Sequence, residues 1–155
     1  MIEKEEPANI IPHRGKMLLL SRIKGYDLEE RTLSAECDIT ENCLFYDPVN
    51  GGVPSWVAFE FIAQAISALS GIWTRKMGEK PKIGFILSIS SMKSLISFFK
   101  AGSTVEIKVK ESGRMDLVYN FDGEAHINGK KVLEGKITVM DETDEQVKSI
   151  IEEQG

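Results

Sequence analysis

Cysteine and histidine are scarce in this chain, with two of each among 155 residues. Cys37 and Cys43 are too few for the disulfide framework of a small secreted domain, and the four residues together lack the spacing of a zinc site. We therefore expect two reduced thiols in a cytoplasmic protein that binds no metal.

Basic residues are also not in excess. The chain has 19 Lys and Arg against 24 Asp and Glu, which gives a net charge of −5. Because a nucleic-acid-binding protein usually carries a basic face, we expect no nucleic-acid partner. An acidic protein partner would need a local basic patch, which the net charge does not exclude.

Long uninterrupted apolar runs are absent. The longest apolar stretch, residues 53–73, is interrupted by polar side chains at Glu60, Gln64, Ser67 and Ser70. Its length alone would fit a membrane span, but its polar content favours the buried core helix of a soluble protein, so we expect no membrane partner. The first ten residues, MIEKEEPANI, are acidic rather than apolar and predict no signal peptide.

Alternating hydrophobicity and turn signals predict several strands and one helix. The strands are predicted at residues 17–23, 31–39, 83–97, 103–111, 115–127 and 130–140, and the helix runs from a first turn containing Pro54 to residues 76–78. Asn128–Gly129 predicts a tight hairpin. Residues 1–16 are predicted to be irregular, and residues 141–155 form a polar tail. This order predicts one α+β domain over residues 1–155, in which an antiparallel sheet curls around the helix.

The helix is apolar nearly all round, and one sheet covers only one of its sides. A second subunit would cover the rest, so we expect a homodimer.

Glu60 is the single acid in the apolar part of this helix, on one stripe with Gln64, Ser67 and Gly71. Because burial of an unpaired carboxylate is costly, Glu60 is either hydrogen-bonded in the core or at a subunit seam, or it is a general acid or base in a pocket.

The start of the same helix offers backbone donors. The N–H groups of Val53 and Ser55 flank Pro54 at or near the first turn, where N–H groups lack helical acceptors and the helix dipole is positive. Such donors polarise a carbonyl oxygen, and Gly51 and Gly52 would let a ligand approach closely. A polarised carbonyl beside a carboxylate is a site for proton chemistry next to that carbonyl.

Residues 10–23, IIPHRGKMLLLSRI, contain His13 and Arg14. Histidine is the common base near neutral pH, but a lone histidine ahead of a strand is also an ordinary surface residue. His13 is therefore a weaker catalytic candidate than Glu60. His126 lies in a predicted strand and is predicted to be structural.

Two segments together resemble the hot-dog fold β-hydroxyacyl-acyl-carrier-protein dehydratases, across roughly residues 8–140. IPHRGKMLLLSRI resembles that family's Leu-Pro-His-Arg stretch, and VPSWVAFEFIAQA resembles the motif that opens its central helix. The Pro-Xaa-Trp near the helix start is most similar to the branch associated with aryl polyene biosynthesis. The resemblance implies a curved antiparallel sheet around one central helix, a homodimer with the substrate tunnel at the subunit seam, and no cofactor.

The resemblance also implies roles for individual residues. Glu60 falls on the family's catalytic acid, Ser55 falls on a glycine whose backbone N–H binds the thioester oxygen, and Gln64 matches as well. The family's catalytic histidine falls on Tyr46, and a phenol is a poor base and a hydrogen-bond donor at neutral pH. Three interpretations stay open: Tyr46 orients the substrate or donates to the thioester oxygen while Glu60 transfers the proton, His13 enters from the neighbouring loop, or the protein is a weak or inactive partner of an active subunit.

The implied function is dehydration of a 3-hydroxyacyl thioester, carried on acyl carrier protein or coenzyme A, to a trans-2-enoyl thioester in fatty-acid-like or polyene synthesis. One alternative is an acyl thioester hydrolase, in which Glu60 or Asp47 activates water or attacks the carbonyl carbon. The other is a non-catalytic subunit that binds acyl thioesters, which the tyrosine at position 46 motivates.

Overall fold

The computed structural model describes residues 6–11, 14–79 and 83–142. The main sheet contains six strands: β1 Arg22–Asp27, β2 Thr32–Asp38, β4 Ile83–Ser94, β6 Thr104–Met115, β7 Val118–Ile127 and β8 Lys130–Glu142. Two short strands, β3 Gly52–Pro54 and β5 Phe98–Lys100, pair with each other in a separate ribbon. The helix α1, Ala58–Lys76, continues from a 3-10 turn at Ser55–Val57.

The strands of the main sheet lie in the order β1-β2-β6-β7-β8-β4, and all neighbours are antiparallel. Their alternating apolar residues face α1 and are buried, as the sequence pattern predicts. Examples from three strands are Leu33, Ala35, Cys37, Val105, Ile107, Val109, Leu133 and Ile137. The helix packs against the inner face of the sheet, mainly on β2, β6 and β7. This arrangement confirms the predicted α+β hot-dog fold.

The helix contacts the sheet at a glycine of β7. Gly123 pairs with Gly135 across the two strands. A methyl group added to Gly123 would lie 2.8 Å from the side-chain atoms of Ile62 on α1. The missing side chain therefore makes the space in which Ile62, itself fully buried, contacts the sheet.

The structure differs from the prediction between residues 17 and 23. Gly15–Met17 form a 3-10 turn, residues 18–21 have no regular structure, and β1 begins only at Arg22. The predicted strand at 17–23 is therefore wrong at its start. Leu20 is buried, so the apolar run does enter the core, but a side chain from α1 binds the backbone of this segment instead of a neighbouring strand.

The ends of other elements follow local signals. Lys76 ends α1, within the predicted limits, and Asn128 and Gly129 adopt the positive φ angles of 51° and 80° that the predicted hairpin turn requires. Pro54 lies in β3 and just before the 3-10 turn rather than inside the helix, and the pairing of β3 with β5 was not predicted. The strand β8 extends to Glu142, and the remainder of the predicted polar tail lies outside the described residues.

By length and composition, the helical segment Ser55–Lys76 could cross a membrane, but 61% of its most apolar window is buried inside the fold. This burial agrees with the prediction of a core helix. One stripe of α1 remains half-exposed in the isolated chain, formed by Phe59, Glu60, Ala63, Ser67 and Ser70. The helix thus leaves one side uncovered, next to the candidate acid.

Candidate active site

Glu60 lies in the first turn of α1 and is half-buried. Its Oε1 atom accepts a hydrogen bond of 3.2 Å from the Nε2 group of Gln64, one helical turn later. Gln64 itself is 1% exposed, one of two buried polar side chains among the described residues of the core. Two of the three polar members of the predicted stripe, Glu60 and Gln64, therefore bind each other.

Gln64 also holds a second segment of chain against the helix. Its Nε2 group donates to the carbonyl of Met17 at 2.9 Å, and its Oε1 atom accepts the N–H of Leu19 at 2.9 Å. This pair of bonds imitates the backbone pairing that a strand would supply. The loop that follows the Pro-His-Arg motif is consequently fixed beside Glu60, a connection that links the two motifs across 45 residues of sequence.

The N–H groups predicted to bind an oxyanion have other partners in the structure. Ser55 donates its N–H to the carbonyl of Ser97 at 2.8 Å, and Val53 pairs with Phe99 in the ribbon of β3 and β5. Binding of a thioester oxygen at Ser55 stays a prediction, and the oxygen would have to share this donor or displace Ser97.

One neighbouring donor was not predicted. Within the described residues, the N–H group of Trp56 has no hydrogen-bond acceptor. It lies at the start of the helical segment, where an orphan N–H group and the positive end of the helix dipole favour a developing negative charge. Sequence spacing could not identify this donor, because the pairing of Ser55 next to it depends on a residue 42 positions later.

Tyr46 lies in the loop before β3 and is half-buried. Its backbone N–H donates to the carbonyl of Cys43 at 3.1 Å, which fixes the backbone, while its hydroxyl group makes no hydrogen bond to any described residue. The structure therefore does not join Tyr46 and Glu60 by a hydrogen bond within one chain. A phenol without a hydrogen-bond partner among the described residues retains its donor for a ligand or for a second subunit.

Asp47 stabilises this loop through its carboxylate. One oxygen accepts the N–H of Val49 at 2.9 Å, and the other accepts the side-chain amide of Asn50 at 2.8 Å. The hydrogen bond from the Asn50 side chain is the main reason that the pKa of Asp47 is lower than usual. A carboxylate whose two oxygens accept hydrogen bonds within a turn is a weaker base and nucleophile, so the geometry does not favour the hydrolase alternative at Asp47.

The other side chains that could act in catalysis or bind a metal ion include the two histidines. His13 lies outside the described residues, and its catalytic role stays a prediction. His126 lies on β7 with its Nε2 atom 3.0 Å from the carboxylate of Glu124. In the described ranges, no group of three or more His, Cys, Asp and Glu side chains is arranged to hold a metal ion.

A cavity of about 240 Å³ opens beside the start of the helix. Val57 and Phe61 form its helical wall, and Leu19, the residue bound by Gln64, lies on another side. Cys37 and Cys43 both line it. The cavity, the orphan N–H group and the acid are thus grouped at one end of α1.

The chain is similar in sequence to known dehydratases. It is 31% identical over 136 residues to the 3-hydroxyacyl-[acyl-carrier-protein] dehydratase FabZ of Erythrobacter litoralis, a match that covers 84% of this chain and 86% of that protein. FabZ of Chlamydia abortus is 31% identical over 116 residues, with 63% of this chain and 75% of that protein covered.

Solved structures share the fold. The dehydratase heterocomplex ApeI:P from Xenorhabdus doucetiae superposes with a TM-score of 0.84 at 20% identity, covering 96% of this chain and 99% of the other. A putative thioesterase from Ralstonia eutropha gives a TM-score of 0.60 at 23% identity, covering 76% and 82%. The family model described as "ApeP-like: ApeP dehydratase" matches residues 5–152, which is nearly the whole chain. Because the match spans nearly all residues, the chain belongs to the ApeP-like dehydratase family.

Proposed function

We propose that this protein removes water from a 3-hydroxyacyl thioester carried on acyl carrier protein and leaves a trans-2-enoyl thioester. The observation that carries the proposal is the pairing of Glu60 with Gln64 in the first turns of the core helix, close to the orphan N–H group of Trp56. Membership of a dehydratase family supports the reaction type. The FabZ relatives, named for acyl-carrier-protein substrates, support the carrier.

In the proposed reaction, the carboxylate of Glu60 takes a proton from the carbon next to the thioester carbonyl. The electron pair moves onto the carbonyl oxygen, which backbone N–H groups at the helix start stabilise as it gains charge. As the carbon–carbon double bond forms, the 3-hydroxyl group takes up the proton that Glu60 has removed and leaves as water. Gln64 keeps Glu60 in position, because its Nε2 group donates to the carboxylate.

Tyr46 occupies the position at which the resemblance calls for a histidine. We propose that its hydroxyl group donates a hydrogen bond to the substrate, either at the thioester oxygen or at the departing hydroxyl group. Its lack of a hydrogen-bonding partner among the described residues supports this role. His13 remains the alternative proton carrier.

The test follows enoyl absorbance with a 3-hydroxyacyl thioester on acyl carrier protein. Glu60→Gln should lower kcat by at least about a hundredfold, in the range for a lost general base. Glu29→Gln, which changes an exposed acid in the turn after β1, serves as the matched control and should retain full activity. Equal rates for wild type and Glu60→Gln would refute the role of Glu60.

Tyr46 is tested by two substitutions. Tyr46→Phe removes only the hydroxyl group and should lower kcat by about a hundredfold if that group donates to the reacting oxygen. Tyr46→His should retain activity, since imidazole also donates a hydrogen bond. Full activity of Tyr46→Phe would show that the hydroxyl group of Tyr46 does not donate this hydrogen bond and that another residue does.

A second candidate function is that of a subunit in a dehydratase heterocomplex. The structurally similar ApeI:P from Xenorhabdus doucetiae is such an assembly, and the tyrosine at position 46 departs from the family's histidine. Under this alternative, the isolated protein would show no turnover, and activity would appear only after addition of a second dehydratase subunit.

We also propose that the protein forms a homodimer in the cytoplasm. Among the described strands, β4 is an edge of the main sheet, twelve residues long, with exposed Ile86, Leu87 and Ile89. A long apolar edge strand is a template for pairing with another strand. Leu87→Lys should therefore convert the dimer to a monomer in light scattering, whereas Met115→Lys, at an exposed hairpin, should not. A monomeric wild type would refute the dimer.

A further inference from the structure

A second cavity lies on the outer face of the main sheet, the face turned away from α1. It has a volume of about 640 Å³ and spans the strands β1, β2, β6 and β7. We call it the outer groove, and its cationic and hydroxyl-bearing residues include Lys24, Thr32, Ser34, Lys108 and Lys110. The residues that alternate with them on β2 and β6 are buried on the helix side of the sheet. A ligand in the outer groove is therefore separated from Glu60 by the sheet.

The floor of the outer groove is formed by small side chains. Ser34 on β2 lies between Gly25 on β1, which has no side chain, and Lys108 on β6. In the next row, Thr32 lies opposite Lys110. Side chains that are directly opposite have Cβ atoms about 4.5–5.5 Å apart, so each hydroxyl group lies beside one lysine. Among the described residues, neither hydroxyl group nor the ammonium group of Lys110 has a hydrogen-bonding or ion-pair partner.

Three acids also line the outer groove, and two of them are engaged elsewhere. Asp27 accepts two backbone N–H groups of the turn that follows it, at 3.0 and 3.1 Å. Glu124 shares a hydrogen bond of 3.0 Å with His126 on its own strand. Asp122 lies on β7, one strand beyond the lysines of β6. Ser34 therefore has lysines rather than carboxylates as its charged neighbours across β1 and β6.

Two of the three lysines have ion-pair partners that an anion could replace. The Nζ atom of Lys24 lies 3.8 Å from Glu36, and that of Lys108 lies 3.5 Å from Glu106. These lysine side chains are 42% and 50% exposed, and ion pairs at such exposed positions contribute little to stability. Glu36 also binds Arg22 at 2.9 Å, so it keeps a partner when Lys24 turns away. Both ammonium groups are therefore available to an anion in the outer groove.

We propose that the outer groove binds a small molecule that carries a phosphate or diphosphate group. The hydroxyl groups of Thr32 and Ser34 donate to phosphate oxygens, and the three ammonium groups balance the negative charge. The volume of about 640 Å³ lies within the range of about 300–1,000 Å³ that is typical of small-molecule sites. Inorganic phosphate needs only part of this volume, so the remainder of the ligand has room beside the phosphate group.

The test titrates the full chain with inorganic pyrophosphate at constant ionic strength, followed by ¹H–¹⁵N NMR. The backbone signals of Thr32, Ser34, Lys108 and Lys110 should shift and reach saturation, with a Kd in the millimolar range or below. Acetate, which carries a single charge, should produce no saturating shift at the same concentration. Shifts that rise linearly with pyrophosphate, or that spread evenly over every exposed lysine, would overturn the proposal.

Substitutions separate a built site from general attraction to positive charge. Lys110→Gln and Ser34→Ala should each raise the Kd for pyrophosphate by about tenfold, as expected for loss of a hydrogen bond to a charged group. Lys130→Gln makes the same charge change at an exposed position at the start of β8, outside the outer groove, and should leave the Kd within about twofold, because distant surface charges are screened. Equal weakening by Lys110→Gln and Lys130→Gln would refute the site.

Thermal unfolding provides a second readout that also checks the fold of each variant. A ligand that binds only the folded chain raises its Tm, so pyrophosphate should raise the Tm of the wild type and of Lys130→Gln. The increase should be smaller for Lys110→Gln, whose Tm without pyrophosphate should match that of the wild type. An equal increase in all three proteins would contradict binding in the outer groove.

Discussion

Replacement of Gln64 by Met tests how the core helix joins the two sequence motifs. The side chain is 1% exposed and binds Met17, Leu19 and Glu60. Methionine has nearly the same length and volume but cannot form any of these hydrogen bonds. The substitution therefore removes polar contacts without creating a cavity.

The stability cost comes mainly from the N–H of Leu19, which loses its acceptor in a half-buried site. Met17 is 57% exposed, so its carbonyl group can bind water instead. A buried donor left without an acceptor costs about 1–3 kcal/mol. For a chain of this size, each kcal/mol lowers Tm by about 2–4 °C, so a central cost of about 2 kcal/mol lowers Tm by about 4–8 °C. Thermal unfolding followed by circular dichroism measures this change.

The catalytic cost comes from Glu60, which loses a hydrogen bond that holds its carboxylate. We expect kcat/KM of Gln64→Met to fall by about tenfold to a hundredfold, equivalent to about 1.5–3 kcal/mol for a hydrogen bond to a charged group. Gln64→Glu distinguishes positioning from folding. It keeps an acceptor for Leu19 but places two carboxyl groups about 3.2 Å apart, where both cannot be ionised easily.

In Gln64→Glu, one of the two carboxyl groups retains a proton to higher pH. The acidic limb of the kcat/KM profile should therefore move to higher pH, a change that a merely structural role would not produce. If Gln64→Met keeps both the wild-type Tm and the wild-type kcat/KM, the reasoning about this bridge is refuted.

Two further predictions concern the backbone and a surface ion pair. Gly52→Ala would place a methyl group against the carbonyl oxygen of Phe99, which the ribbon holds in place, so we expect a loss near the upper end of about 1–3 kcal/mol in urea unfolding. Gly113→Ala meets its nearest atom at 3.6 Å and should change stability by less than about 0.5 kcal/mol; equal effects of the two substitutions would contradict the clash. Hydrogen bonds from Arg22 lower the pKa of Asp38, so the stabilisation is fully present above the ordinary aspartate pKa of about 3.9 and is lost as the pH falls through the lowered value. Because the Asp38 side chain is 41% exposed, Arg22→Met should destabilise the protein by less than about 1 kcal/mol at pH 7 and by less still at pH 3, and a difference that grows with acidity would refute the pairing.

Much of the fold is predictable because its signals are local. The alternation of apolar and polar residues correctly predicted which side chains of β2, β6 and β8 are buried, since side chains of a strand alternate between its two faces. The hairpin at Asn128 followed from the tolerance of Asn and Gly for positive φ. The strand predicted from residue 17 was wrong, because an apolar run predicts burial but not the partner that satisfies its backbone, and here that partner is the side chain of Gln64.

The candidate site divides in the same way. Helical spacing alone put Glu60 and Gln64 on one stripe, and the resemblance alone identified Glu60 as the acid and Tyr46 as the departure from the family. Only the tertiary structure decided which N–H groups at the helix start have acceptors. Ser55 is paired because the chain just before β5 returns to that point, and Trp56 is left without an acceptor among the described residues. Periodicity is set by neighbours in the chain, so the sequence determines it, whereas hydrogen-bond partners and cavities depend on segments that meet only after folding.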